Sequence, residues 1–334
     1  MKPPWITSLA NRQLGRCFCR GNNCGDISTW DEHFDEFKER IDVVDDMAED
    51  SLTYKPYDIF KYNQDKSGSL KEDDYITILH PLVVGMVNKV TKDSPPLLSI
   101  LNNAALIFPN LQSIYLTVKV KDILFEGIEI DCRRNATEGK TFTVKRGISN
   151  SKDLGRLLAF DGKKELTLWG TKVCNSFKGT DGWIFAPFLN EDEDIWTYSA
   201  DLCRNIRATF VKKTVFKGVD VFRYEADIGD MEHNEDEKCY CETPKTCLKK
   251  GVFDLTKCMG VPIYATLPHF LRTDETYLQQ VQGLKPEPEN HILTATPIEA
   301  RKRMQFNLPI SPNSKIDLMK SIPDALHPIF WVEE

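Results

Sequence analysis

Cys239-Tyr240-Cys241-Glu242-Thr243-Pro244-Lys245-Thr246-Cys247-Leu248-Lys249-Lys250-Gly251-Val252-Phe253-Asp254-Leu255-Thr256-Lys257-Cys258 carries four cysteines, and Cys174 and Cys203 precede it in the same β-rich region. Zinc ribbons need paired Cys-x2-Cys knuckles, which neither Cys239-x-Cys241 nor the isolated Cys174 and Cys203 supply. An even set of six in such a region reads as a disulfide framework, and hence as a chain folded in an oxidising compartment. The spacing alone leaves the pairing open. The remaining four of the ten cysteines are Cys132 and an N-terminal trio, Cys17, Cys19 and Cys24, which lacks a fourth zinc ligand at usable spacing and reads as stray thiols.

With 334 residues, 41% apolar and 28% charged, the chain is long and apolar enough for a sizeable core, and disordered or collagen-like classes are excluded. One large domain fits better than two, because no low-complexity linker or repeat divides the sequence. The net charge of −7, with no basic stripe, excludes electrostatic capture of nucleic acid. A spanning helix needs about 20 apolar residues, and the longest apolar runs, Leu82–Val87 and Ala104–Phe108, are of core-helix size. Met1–Arg20 has no apolar stretch of signal-peptide type. Taken literally those absences read as cytosolic, against the cysteines. The sequon Asn135-Ala136-Thr137, a candidate glycosylation site at Asn135, sides with export.

Two helices are well marked. Pro81 stands at a first-turn position before Val83, Met86, Val87 and Val90, and Ser94-Pro95-Pro96 opens Leu97, Leu98, Leu101, Ala105 and Phe108 before Pro109. Trp30, Phe34, Phe37 and Ile41 behind Ser28/Thr29 also have helical spacing. Elsewhere the period is two, at Ile114–Val120, Phe142/Val144, Leu166/Leu168 and Val219–Arg223 after the Lys217-Gly218 turn, and further strands are expected at Val261–Thr266, Arg303–Leu308 and Pro328–Val332. The fold class is therefore α+β, with a large antiparallel, barrel-like sheet and a helical cap.

Chemistry-bearing motifs are scarce. Asn63-Gln64-Asp65-Lys66-Ser67-Gly68-Ser69-Leu70, closed by Asp74, imitates a calcium loop, but Asn63, Lys71 and the short Asp74 stand where strong ligands are needed, so a polar turn is the better reading. Gly139-Lys140-Thr141 lacks the earlier glycine of a phosphate loop, where Arg134 stands. No nucleophile elbow, zinc-protease or dinucleotide motif occurs, and His80-Pro81 and His327-Pro328 read as structural turn residues. Neither an enzyme nor a cofactor is expected.

Cys174-Asn175-Ser176-Phe177-Lys178-Gly179-Thr180-Asp181-Gly182, Asp201-Leu202-Cys203-Arg204, Cys239-Tyr240-Cys241, Leu267-Pro268-His269-Phe270, Gly283-Leu284, Lys302-Arg303-Met304-Gln305-Phe306-Asn307 and Pro328-Ile329-Phe330-Trp331-Val332-Glu333-Glu334 resemble signature segments of the class B scavenger receptor family. Within it, Val144-Lys145-Arg146-Gly147, Cys247–Val252 and Asp254–Cys258 most resemble the sensory neuron membrane proteins of insects. The likeness runs from about Phe34 to Glu334. It implies a two-pass plasma-membrane receptor with a glycosylated ectodomain: an antiparallel barrel topped by helices and pierced by an apolar tunnel. Such proteins pass on hydrophobic ligands, fatty acids or fatty-acid-derived pheromones, in the sensory branch beside an odorant receptor complex.

Carried over residue by residue, the resemblance implies disulfides Cys174–Cys239, Cys203–Cys258 and Cys241–Cys247. It places a ligand entrance on the helical hairpin, where Val83, Val87, Leu97, Leu98, Leu101 and Phe108 would supply apolar walls and Lys89 or Lys92 a partner for a polar head; packing into a core is the competing role for each apolar position. Residues 1–30 resemble nothing in the family and form a leader expected to be disordered. Residues 31–334 would be a partial ectodomain, with its helical cap at about 76–110 and a disulfide-rich β region at about 174–260. The spanning helices and part of the ectodomain are missing, and the 130–141 and 293–299 stretches are short, so the chain is expected to be the middle of a longer receptor. The resemblance also makes Phe34–Val43 a strand, against its helical spacing. Without the resemblance, the alternative is a secreted disulfide-rich lipid- or calcium-binding module.

Overall fold

The computed structural model describes residues 34–107 apart from 68 and 70, 111–122, 140–333 apart from 297, and the strands Gln13–Gly15, Cys19–Arg20 and Asn23–Cys24. The fold is mixed α/β, and every strand pairing in its sheets is antiparallel. Asn135, Cys17, Cys132 and Phe108 lie outside the described residues.

Phe34–Asp46 is a strand, paired along its length with Ser51–Tyr62. One irregularity interrupts the pairing. Ile41 pairs with Lys55 and Val44 with Thr53, so Asp42 and Val43 together face Tyr54, and Asp42 takes a φ of 51°. This bulge adds one residue, but it comes after Ile41; the pairing from Phe34–Tyr62 to Ile41–Lys55 is unbroken, so the helical spacing of Phe34, Phe37 and Ile41 is a coincidence of a short stretch. Phe142–Lys145 and Leu157–Phe160 complete this sheet, whose inner face buries Tyr54, Phe142, Val144, Leu157 and Phe160 against Tyr198.

A second sheet orders Ile195–Ser199, Arg204–Phe216, Val219–Ala226, Leu293–Ala295 and Ala300–Arg301. The two-residue Lys217-Gly218 turn, with φ of 48° and 84°, has the left-handed backbone that matches strand twist in a tight hairpin. A third orders Gln13–Gly15, Ala325–Glu333, Arg303–Ile310, Tyr264–Thr266 and Phe253–Asp254. Here the expected Val261–Thr266 strand starts only at Tyr264, because Pro262 has no N–H for a ladder.

Leu166 and Leu168 do not form the strand their alternation suggests. The Leu166 amide donates to the Asn175 backbone carbonyl, and the Leu168 and Trp169 amides donate to Asn175 Oδ1, so one residue takes the place of a neighbouring strand. The hairpin Tyr75–Leu79 with Tyr115–Lys119 holds the two helices between its strands. Helix Pro81–Asp93 begins on its proline, a 3-10 turn covers Pro95–Leu97, and helix Leu98–Ile107 follows.

Gly179 has φ of 75°, and a Cβ there would run into the Trp196 carbonyl. Gly162 shares the left-handed backbone, with φ of 70°, but has open space around it. Gly179→Ala is therefore expected to cost about 2 kcal/mol more than Gly162→Ala, which bears only the conformational strain of about 1 kcal/mol. Comparing urea midpoints of the two variants checks this; equal midpoints would place the cost in φ alone.

Candidate functional site: an apolar cavity beside the helical hairpin

A cavity of about 770 Å3 lies between the Tyr75–Leu79 hairpin, the start of the Pro81 helix and the Arg303–Ile310 and Ala325–Glu333 strands. Its walls include Ile78, Val84, Ile310, Ile322 and Ala325, and its polar members include Gln280 and His327. Consecutive residues on a helix point about 100° apart, so Val84 lines the cavity while Val83 and Val87 are buried at its flank. Gln280 is held in place: its Oε1 accepts the Leu326 backbone N–H at 2.9 Å. The His327 imidazole Nδ1 donates to the Pro328 carbonyl at 2.7 Å, and burial lowers its pKa so that it stays neutral.

The entrance residues expected from sequence are placed as follows. Val87 and Leu98 are buried together with Ile316 and Met319, and Leu101 packs on that cluster. Leu97 is 49% exposed. Lys89 pairs with Asp93 at 2.8 Å, and Lys92 with Glu242 at 2.8 Å, a contact that raises the Lys92 pKa. Both lysines border a smaller cavity of about 390 Å3, beside the Cys241–Cys247 loop. The lysines and the larger apolar cavity are thus distinct features. Val84, Ile310, Ile322 and Ala325 went unread in the sequence, since each has the pattern of an ordinary core position, and His327, read there as a turn residue, instead lies in the Ala325–Glu333 strand opposite Leu308.

Sulfur pairs join Cys174 to Cys239, Cys203 to Cys258 and Cys241 to Cys247, with Cα–Cα separations of 6.3, 5.8 and 5.0 Å. The 174–182 segment is occupied with architecture. Cys174 is bridged, Asn175 satisfies the Leu166, Leu168 and Trp169 amides, and Phe177 meets the Tyr198 ring edge-on at 4.9 Å. Thr180 accepts the Tyr198 N–H through its carbonyl. The buried Asp181 carboxylate accepts the Tyr54 hydroxyl at 2.5 Å, with Arg40 at 3.5 Å and its guanidinium 4.6 Å from the Tyr54 ring. Burial, then the Asp181 charge, raises the Tyr54 pKa and keeps the phenol protonated as the donor.

The 63–74 turn satisfies itself. Ser67 donates from both its amide and its hydroxyl to the Asn63 carbonyl, and Asp74 Oδ2 accepts the Lys71 amide. Among the described residues no group of three or more His, Cys, Asp or Glu side chains is arranged to hold a metal, and no helix is long and apolar enough to cross a membrane.

The sequence matches the profile of the CD36 family over residues 33–334. Curated relatives include sensory neuron membrane protein 1 of Apis mellifera, 37% identical over 345 residues, and of Ostrinia nubilalis, 37% identical over 348. The same protein of Antheraea polyphemus is 35% identical over 348 residues. Each alignment covers 90% of this chain and 66% of the relative, so the chain spans just under two thirds of their length. The profile match takes in the helical hairpin and all six bridged cysteines: the chain belongs to the CD36 family, the class B scavenger receptors.

Proposed function

We propose that this chain is the ligand-handling part of a plasma-membrane receptor of the sensory neuron membrane protein type, and that it binds long-chain lipids without chemical change. The observation that carries the reading is the 770 Å3 cavity, walled mostly by aliphatic side chains. That volume is within the usual range for small-molecule pockets, and each methylene leaving water contributes about 0.8 kcal/mol, so an alkyl chain needs only an apolar wall to be held. In the full receptor the sheets close into a barrel capped by the helical hairpin, and the cavity is one section of a tunnel. Residues 31–334 form part of the ectodomain, and Asn135 carries a glycan. Fatty acids or fatty-acid-derived pheromones are the ligands, delivered to an odorant receptor complex in olfaction. The hairpin lysines, Lys89 and Lys92, meet polar heads.

The test is binding of a fluorescent long-chain ester to the whole chain, folded under oxidising conditions, and to Ile322→Trp. The indole fills the cavity from a half-buried position. Affinity should fall at least tenfold while the unfolding midpoint moves little. A native chain that binds no ester, or a variant that binds as well as the parent, overturns the reading.

A further inference from the structure

Two imidazoles lie face to face at the junction of the Pro268–Phe270 and Pro288–His291 turns. The rings of His269 and His291 are 4.3 Å apart and 6° from parallel, and both residues are buried. His269 Nδ1 accepts the Lys285 backbone N–H at 3.0 Å, and His291 Nδ1 accepts the Glu287 backbone N–H at 2.9 Å. A nitrogen that accepts carries no proton, so each ring is neutral with its proton on Nε2. The pair also has fixed neighbours. The His269 amide donates to Gln305 Oε1 at 2.8 Å, and the Trp331 ring meets His291 edge-on at 5.9 Å. Two stacked rings thus tie the 285–291 segment to strands Arg303–Ile310 and Ala325–Glu333, which wall the cavity.

Burial and the nearby Arg303 oppose a proton on the pair. Arg303 is buried, donates to the Glu289 and Ile292 carbonyls and pairs with Glu333. Lys285, Glu287 and Glu289 are exposed residues on the solvent side of the segment, and Glu287 accepts from Asn290. Burial first, then His269, push the His291 pKa down from 6.5 to about 4, with Arg303 adding to the fall and Glu287 opposing it.

We propose that the His269–His291 pair is an acid-released latch on the cavity wall: a proton on either ring turns an accepting Nδ1 into a donor aimed at a backbone N–H, sets a cation against its stacked partner, and frees the 280–291 segment. The latch rests on the stack and its two backbone bonds; only the consequence for a ligand rests on the cavity being the lipid site. The direction follows from linkage. Between about pH 6.5 and 4 the freed imidazole binds a proton that the latched one does not, so the latch is complete above that window and lost as pH falls through it.

Hydrogen exchange of the whole chain, read by mass spectrometry and corrected for intrinsic rates, reports the Lys285 and Glu287 amides directly. Their protection should fall at least tenfold between pH 7 and 5, while that of the Arg204–Phe216 strand holds. In His269→Asn/His291→Asn the amide oxygens take over as acceptors and do not titrate, so protection should become independent of pH; the single His291→Asn variant, expected to lose most of the response, serves if the double variant does not fold. Unchanged wild-type protection at pH 5, or a loss in the asparagine variants equal to wild type, overturns the latch. A parallel titration with a neutral long-chain ester, whose own charge is constant, separates the two readings: no ester binding at any pH removes the lipid site and leaves the exchange result to decide the latch.

Discussion

Arg204→Ala should destabilise the protein by about 3–5 kcal/mol, the cost of removing one partner from a buried ion pair and leaving the other behind. The Arg204 side chain is 6% exposed and its Nη2 meets Glu237 Oε1 at 2.9 Å. Its Nη1 donates to the Ile228 carbonyl at 3.1 Å, and the guanidinium lies 4.4 Å from the Tyr240 ring and 4.8 Å from Phe253. Glu237 is engaged a second time, because its Oε2 accepts the Asp230 amide at 2.9 Å. Without the arginine, that carboxylate stays fixed beside an apolar core with its charge unopposed. Arg204→Met with Glu237→Gln removes both charges and should recover at least 1 kcal/mol relative to the sum of the single changes. Urea midpoints measured across the cycle decide it; additive effects would mean that the pair acts only through packing.

The second large effect is expected from the bridges, and it depends on which one is cut. Cys203 and Cys258 are 55 residues apart, whereas Cys241 and Cys247 are 6 apart. A longer loop confines the unfolded chain more, so Cys203→Ala/Cys258→Ala should cost about 4 kcal/mol and Cys241→Ala/Cys247→Ala about 2 kcal/mol on the chain-entropy account. Thermal unfolding of the two double variants, purified as oxidised protein, gives the order. If the short loop proves the costlier to open, contacts in the native state outweigh the chain entropy.

Local signals located much of this fold. Pro81 marks the start of its helix, Lys217-Gly218 turns its hairpin, and the expected strands Arg303–Leu308 and Pro328–Val332 are found paired with each other. The misleading stretches have physical reasons. Phe34–Ile41 pairs without a break, so its helical spacing is the ambiguity of a short apolar run, and Asn175 takes the Leu166 amide on its backbone carbonyl and the Leu168 amide on its side chain in place of a strand. The cavity was illegible for another reason. Ile78, Val84, Ile310 and Ala325 come from segments far apart in sequence, and only the pairing of Arg303–Ile310 with Ala325–Glu333 and their packing against the hairpin make them neighbours. Nothing about an isoleucine in a strand distinguishes a wall from a filled core.

Cys239 and Cys241 flank a single residue, yet their sulfurs leave in different directions, one to Cys174 and the other to Cys247. Exchanging the two partners would need only a two-residue slip, and thiolate attack makes such swaps chemically easy during biosynthesis. Tyr240 stands between them, buried, with its ring edge-on to Trp169 at 5.2 Å and 5.9 Å from Phe253. A swapped isomer would pull that ring out of its socket. The tyrosine therefore ties sulfur connectivity to packing: its ring sits between Trp169 and Phe253, with Cys239 and Cys241 bridged to different partners on either side.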